Sequence, residues 1–394
     1  MTRLRVGVIG LGAIAQIQHL PLLEQFADLF EIVQVCDLSP RLADAMAARY
    51  GVPGRTTDWR VVCEDRTLDA VVLLNSGSHG PQAEVALANG LHVMAEKPLC
   101  FTVAEADRLE SLALAQGLVL QVGYMKAHEA VMPEARREVE RLGELRFVRH
   151  SVLHPSEVAQ QQHLNILRFG DLDTARLGEA QATNAKLVEN ALGSAPAGLG
   201  WLYSELALGS IVHYLSVFRA LIGRLPETIL KVEAWPFDFD TPPAGWGPAD
   251  QLPTLSVFAS FGGDCRLDLI WAWLQGYPEY TEQIDVLSST GGVTLRLPPP
   301  YIHHRSARLE VVGRDADDRP ASRSVSGAYD VAFGRELRDF HAAVTEGMPV
   351  VSSAADARDD ARWCQALVAA LAANRGISLE GEAAASAAEV NAAP

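Results

Sequence analysis

Gly10, Gly12 and Ala15 stand at the spacing G-x-G-x-x-A, directly after an apolar run containing Val6, Val8 and Ile9. Small residues at this spacing suit one task, the close approach of a diphosphate to the backbone. Gly10 lets the chain turn sharply and Gly12 leaves room for the phosphates. Ala15 lets the next helix lie against the strand. The free N–H groups of that helix start, around Ala13 and Ile14, then face the anion. A second strand, Glu31 to Cys36, ends in Asp37. An acid about 20 residues past the turn is placed to accept hydrogen bonds from an adenosine ribose. Its charge repels a 2′-phosphate, which favours NAD. Ser39 and Arg41, just beyond, could accommodate that phosphate, so NADP stays open.

The elements that position these residues alternate strand and helix up to Lys126. The pattern predicts a helix over Pro40 to Tyr50, a buried strand over Asp69 to Asn75, and a helix over Pro81 to Asn89. A strand over His92 to Ala95 leads into Glu96-Lys97-Pro98-Leu99. Thr102 and Glu105 form a capping box that opens a helix ending at Gly117. A fifth strand runs from Leu118 to Tyr124. This is a doubly wound sheet, whose ligands bind beyond the carboxyl ends of the strands. Asn75, Lys97 and Tyr124 lie at such ends.

From Ala127 the pattern changes. A helix over Met132 to Leu142 and a strand over Leu145 to Leu153 precede a polar helical insert, 155–200, whose Gly- and Ala-rich end, Leu192 to Gly200, reads as a mobile loop. A long helix, Tyr203 to Ile222, follows. Six consecutive strands between Thr228 and Val312, joined by tight turns, predict a large, open, mostly antiparallel sheet. Two helices, Ala332 to Glu346 and Ala355 to Ala373, close the pattern. The expected domains are 1–126 and 127–380, with 381–394 as a disordered tail of Ala, Glu and Ser.

Bulk properties limit the possible roles. Of 394 residues, 48% are hydrophobic and 21% charged, as in a soluble globular protein. The net charge of −16 argues against nucleic acid and anionic membrane partners. No apolar run is read as long enough to span a bilayer, and no signal-peptide pattern precedes the first strand. Five scattered cysteines predict neither disulfides nor a zinc site, and a cytoplasmic location is expected. The pair His303-His304 has no acid or thiol at metal spacing, so no metal is expected.

Several phrases together carry a resemblance. They are Val-Gly-Val-Ile-Gly-Leu-Gly-Ala-Ile-Ala at the start, Asn75-Ser-Gly-Ser-His79, Gly90 to Leu99 with its Glu96-Lys97-Pro98, and Val122-Gly-Tyr-Met-Lys126. Phe333-Gly-Arg-Glu336-Leu-Arg-Asp-Phe340 and Ser353-Ala-Ala-Asp356-Ala fit as well. The chain resembles the glucose–fructose oxidoreductase/inositol dehydrogenase family (Gfo/Idh/MocA). The resemblance implies a Rossmann domain plus an α/β domain with a large open sheet. It implies NAD or NADP as coenzyme, a secondary alcohol or ketone of a sugar, cyclitol or glycoside as substrate, and a homo-oligomer. It places His79 and Glu96 on the coenzyme side, Lys97 beside substrate and nicotinamide, and His213 as acid/base.

Oxidising an alcohol carbon by hydride transfer leaves a hydroxyl proton to remove. A lysine removes it only where burial or a nearby positive ring disfavours the ammonium. Still protonated, it can polarise a carbonyl oxygen. An imidazole titrates near neutrality and suits the same exchange, although a histidine held in the core is the rival reading. Two positions depart from the family. Gly209 stands one helical turn before His213 where many members carry Asp, and Tyr214 follows it where others carry Asp. Glu205, two turns before His213, is the available substitute. Tyr124, Lys126, His154, Glu205 and Tyr214 are the expected substrate-side residues. Trp201, Tyr203, Trp271, Trp273 and Tyr277 supply flat faces for a sugar or an aromatic aglycone. Cyclic use of a tightly bound NAD, and NAD(H) binding without catalysis, are the alternative readings.

Overall fold

A computed structural model describes residues 2–246, 251–303 and 305–391. The chain divides into two compact units. One holds the residues up to Met125 with Leu164–Ala191 and Phe333–Ala361; the other holds Lys126–His163, Leu192–Ala332 and the chain from Arg362 on.

The first unit is built on six strands: β1 (Leu4–Ile9), β2 (Phe30–Cys36), β3 (Gly54–Thr56), β4 (Ala70–Leu73), β5 (His92–Glu96) and β6 (Leu120–Gly123). They lie in the order β3-β2-β1-β4-β5-β6, and every pair is parallel. β1 and β4 are central, and Val6, Val8 and all four residues of β4 are fully buried. Strands covered on both faces need such unbroken apolar runs. β3 was not expected: three residues with a single half-exposed Thr and a Gly carry no periodic signal.

Two segments expected in the second domain fold with the first unit instead. Phe333–Ala361 docks beside β6: Val122 N–H donates to Ser352 carbonyl at 2.9 Å, and Gln121 Nε2 to Glu336 carbonyl at 3.0 Å. Leu164–Ala191 carries most of the helix Thr174–Leu192 and docks beyond the carboxyl ends of the strands, as described below.

The second unit holds β7 (Leu145–His154), β8 (Thr228–Trp235), β9 (Thr254–Ser260), β10 (Arg266–Trp273), β11 (Thr281–Ser288), β12 (Gly292–Leu297), β13 (Arg308–Arg314) and β14 (Pro320–Ser326). Their order is β14-β13-β12-β11-β7-β10-β9-β8. β7 and β10 pair in parallel and the other neighbours are antiparallel. β14, an exposed edge strand of Ser, Arg and Ala, also escaped the sequence reading. One sheet face is packed, with Val148, Val152, Leu267, Leu269, Ile284 and Val286 buried. The other carries a row across the strands, Phe258, Asp268, Arg149, Asp285, Thr294 and Glu310.

Three expectations change here. The helices Ala197–Trp201, Leu202–Ile211 and Val212–Ile222 form one run of 26 residues. By length and composition this run could cross a bilayer, and 61% of its apolar 18-residue stretch is buried within the fold. The sequence shows most of this run as the helix Tyr203 to Ile222, but Glu205, Gly209 and His213 interrupt its apolar residues and hide its bilayer-spanning length. The same run begins inside Leu192–Gly200, so the end of that stretch is helix rather than loop. The tail is a helix over Gly381–Asn391. Ala383 is fully buried, Ser386 Oγ donates to Gln365 Oε1 at 2.6 Å, and Arg362 pairs with Glu389 at 2.7 Å. Small side chains let this helix lie close to its neighbour, which composition alone does not reveal.

Candidate active site

The glycine turn follows β1 as expected. Gly10 adopts φ +90°, and a Cβ there would stand 2.4 Å from the Asn75 backbone nitrogen. Only glycine fits this approach. At Gly12 a Cβ would meet nothing within 4 Å. The turn therefore offers open space at the position where a diphosphate needs it, and the residues fit the coenzyme. Ala13 and Ile14 are half-buried at the helix start, and Ala15 is fully buried against the sheet. The helix opens with a π-helical turn, Ala15–His19, before α-helix Leu20–Gln25. Gly12→Val should therefore leave the melting temperature within about 2 °C of wild type while weakening NAD at least about ten-fold by calorimetry.

Asp37 accepts N–H donation from Leu11 and from Ser39, each at 2.9 Å. Burial raises its pKa and these two hydrogen bonds partly offset that. Asn75 is half-buried beyond β4, with Nδ2 donating to Ser76 carbonyl at 3.3 Å. His79 is buried, and its Nδ1 lies 2.8 Å from Pro98 carbonyl, so Nδ1 carries the proton. Burial lowers the His79 pKa, which keeps the ring neutral at pH 7.

Glu96 ends β5, and its Oε1 lies 2.9 Å from the fully buried His19 Nε2. Burial alone would raise the Glu96 pKa; the His19 hydrogen bond and nearby positive charge pull it below the usual range. Glu336 is also fully buried, and burial, then the Glu96 charge, hold its pKa well above the usual range. The two neighbouring carboxyl groups are thus pushed in opposite directions. Lys97 follows directly and is half-buried, its N–H bonded to Glu96 Oε2 at 3.1 Å.

The second unit holds the remaining candidates. Lys126 Nζ lies 2.5 Å from Glu282 Oε2, with both side chains buried. His150 Nε2 lies 3.3 Å from Glu282 Oε1, and the Tyr280 hydroxyl donates to Glu282. Burial would raise the Glu282 pKa, but Lys126 and then His150 hold it at about 2. Tyr214 is buried, its ring edge-on to His150 at 4.7 Å and beneath Lys126 Nζ at 4.8 Å. Lys126 and Tyr214 are therefore engaged in this network; Tyr124, in the first unit, is also buried. His154 is half-buried, donating from Nδ1 to Pro155 carbonyl at 2.7 Å and stacked on Trp273 at 5.5 Å.

His213 is half-buried near the start of Val212–Ile222, and Glu205 is exposed on the stretch before it. That stretch, Leu202–Ile211, is π-helical. The i, i+4, i+8 spacing that aligned Glu205 with His213 therefore does not describe it, because π-helices bond i to i+5. Of the aromatic residues, Trp271 and Tyr203 are fully buried, while Tyr277 is exposed. Trp246, which sequence reasoning passed over, lies 5.8 Å from Trp201 and 5.7 Å from Trp273. All five cysteines are buried and none is joined in a disulfide. Among the described residues no group of His, Cys, Asp or Glu has metal-holding geometry; His304 lies outside them.

Glu282, His150 and Gln16 were also missed. The first two left a signal: each falls at an inward position of its strand, between Val148 and Val152 or beside Ile284. A charged or titratable residue in an apolar register needs a partner.

A parallel sheet of this order, with this turn and acid, has the form of a dinucleotide-binding Rossmann fold. Residues 4–124 match the model of the oxidoreductase family with an NAD-binding Rossmann fold (Gfo/Idh/MocA). The chain is 28% identical, over 88% of its length and 93% of the other's, to a protein named as a UDP-kanosamine synthase oxidoreductase subunit of Amycolatopsis mediterranei (strain S699). It is 32% identical to dTDP-3,4-didehydro-2,6-dideoxy-alpha-D-glucose 3-reductase of Streptomyces violaceoruber, over 48% of this chain and 55% of that one. In fold it is similar to levoglucosan dehydrogenase solved with NADH and levoglucosan. The TM-score is 0.69 at 19% identity, over 94% of this chain and 98% of that one.

Proposed function

We propose that the chain moves a hydride between a nicotinamide and the secondary alcohol or ketone carbon of a sugar-like molecule, with a nucleotide-linked sugar as the leading substrate class. The observation that carries this reading is the open glycine turn beside Asp37, on the same parallel sheet that ends in Lys97. The full-length relative named for a UDP-sugar synthase and the dTDP-sugar reductase support the substrate class. When bound, the nicotinamide supplies or accepts the hydride.

The remaining work falls to side chains. Lys97 holds the substrate oxygen and passes its proton, and His213 is the second proton carrier. Asp37 holds the adenosine ribose. Neutral His79 orients the loop after β4 through Pro98. Trp201 and Trp246, both half-buried, offer faces on which a sugar or base ring stacks. A homo-oligomer and a cytoplasmic location complete the proposal. The partly exposed Phe258 and Val312 on the outer sheet face are the apolar residues such an assembly would cover. Sedimentation at micromolar concentration tests the assembly.

The deciding experiment incubates the protein with UDP- and dTDP-sugars, free sugars and cyclitols, with NAD or NADP, and follows the nicotinamide absorbance band. Turnover of at least one of them is the expected result. Nucleotide binding with no turnover across the panel would instead favour a binding protein without catalysis.

A further inference from the structure

The segment 164–191 reaches the carboxyl ends of three strands. Gln16, past the glycine turn, exchanges two hydrogen bonds with the Leu167 backbone at 2.9 and 3.0 Å. Leu38 carbonyl, past β2, accepts from Asp173 N–H at 2.9 Å. Ser78 N–H, past β4, donates to Asn184 Oδ1 at 3.2 Å. At the β2 corner the contact is chemically pointed. Ser39 Oγ donates to Asp171 Oδ1 at 2.5 Å, and Arg41 N–H donates to Asp171 Oδ2 at 3.1 Å. Ser39 also caps the helix Pro40–Tyr50 through Leu42 N–H at 3.1 Å. The Arg41 guanidinium lies over the Phe169 ring, 4.4 Å from its centre.

A serine hydroxyl, an N–H in the first turn of a helix and an arginine form a donor set for a phosphate. They stand two and four residues past Asp37, where the 2′-phosphate of NADP would fall. Here an internal carboxylate takes two of these donors, and an aromatic ring holds the third. The 2′-hydroxyl of NAD needs only an acceptor, which Asp37 provides. A 2′-phosphate would face two carboxylates and would have to displace one of them.

We infer that Asp171 is a specificity-determining residue that stands in for the 2′-phosphate and makes this oxidoreductase choose NAD over NADP. Asp37 alone does not set the choice. Removing Asp171 uncovers a phosphate site already built from Ser39, Arg41 N–H and the Arg41 guanidinium. This inference rests on the glycine-turn coenzyme site and needs no knowledge of the substrate.

Calorimetry on the full chain with NAD, NADP and adenosine 2′,5′-bisphosphate tests it. Wild type should prefer NAD at least about thirty-fold. Asp171→Ala should tighten NADP and the bisphosphate at least about ten-fold while changing NAD less than about three-fold. Asp171→Asn, which keeps an acceptor for Ser39 without the charge, should fall between. A wild type that binds NADP as well as NAD, or unchanged NADP affinity in both variants with NAD binding intact, overturns the inference. Binding of neither nucleotide to wild type overturns the coenzyme site itself, a separate outcome. Because NAD binding is read in each variant, a misfolded protein is recognised and replaced by Phe169→Ala. That variant frees Arg41 and should also tighten NADP; no tightening there counts against the inference.

Discussion

Lys97→Met should bind NAD within about three-fold of wild type and turn over about 10²- to 10⁴-fold more slowly, the usual share of a positioned proton carrier. Methionine keeps the length and apolar body of the lysine stem and loses the ammonium. Lys97 follows β5 directly, while its neighbour Glu96 is already bonded to His19. A lysine whose only task was to pair with Glu96 would act differently. Its loss would lower the melting temperature and leave kcat/KM within a few-fold. The two measurements, stability and single-turnover rate, therefore separate the roles. His213→Ala belongs in the same series. A comparable loss, with activity partly restored by added imidazole, would mark it as the second proton carrier.

The largest stability effect is expected at Glu282. Glu282→Ala leaves Lys126 and His150 buried without their carboxylate. Removing one member of a buried ion pair costs about 3–5 kcal/mol. Urea unfolding followed by tryptophan fluorescence reports on this directly, since Trp271 and Trp273 lie in the same sheet, on β10. A cost under about 1 kcal/mol would show that water reaches the pair. The same pair gives a pH dependence. Glu282 has a pKa of about 2 in the fold and an ordinary value of 4.5. A depressed acid stabilises the folded state above its unfolded pKa. That stabilisation is lost as pH falls from about 4.5 towards 2. The gap in stability between wild type and Glu282→Gln should accordingly be full at pH 6 and shrink across that window. Replacing both partners, with Lys126→Met and Glu282→Leu together, should recover a good part of the loss, because two apolar groups leave no charge behind.

Local spacing explains what could be read from the chain. Gly10, Gly12 and Asp37 act within one strand–turn–helix–strand unit, so their order suffices to reveal the turn and its acid. The alternation of Val148, His150 and Val152 was equally visible, and the histidine's parity pointed to a buried partner. That the partner is Glu282, more than a hundred residues on, depends on pairing of β7 with β11. Asp171 and Asn184 gave no signal at all. Both sit in a polar segment whose value lies in distant backbone groups, Arg41 N–H and Ser78 N–H, that no local pattern marks. β3 and β14 failed for a simpler reason: one is three residues long, and the other is an exposed edge without apolar alternation.

The docking of 164–191 across three strand ends also bears on how a bound dinucleotide would leave. Departure would require the Gln16, Leu38 and Asn184 contacts to open together, a local unfolding event with its own barrier. Residence time would then be set by that opening.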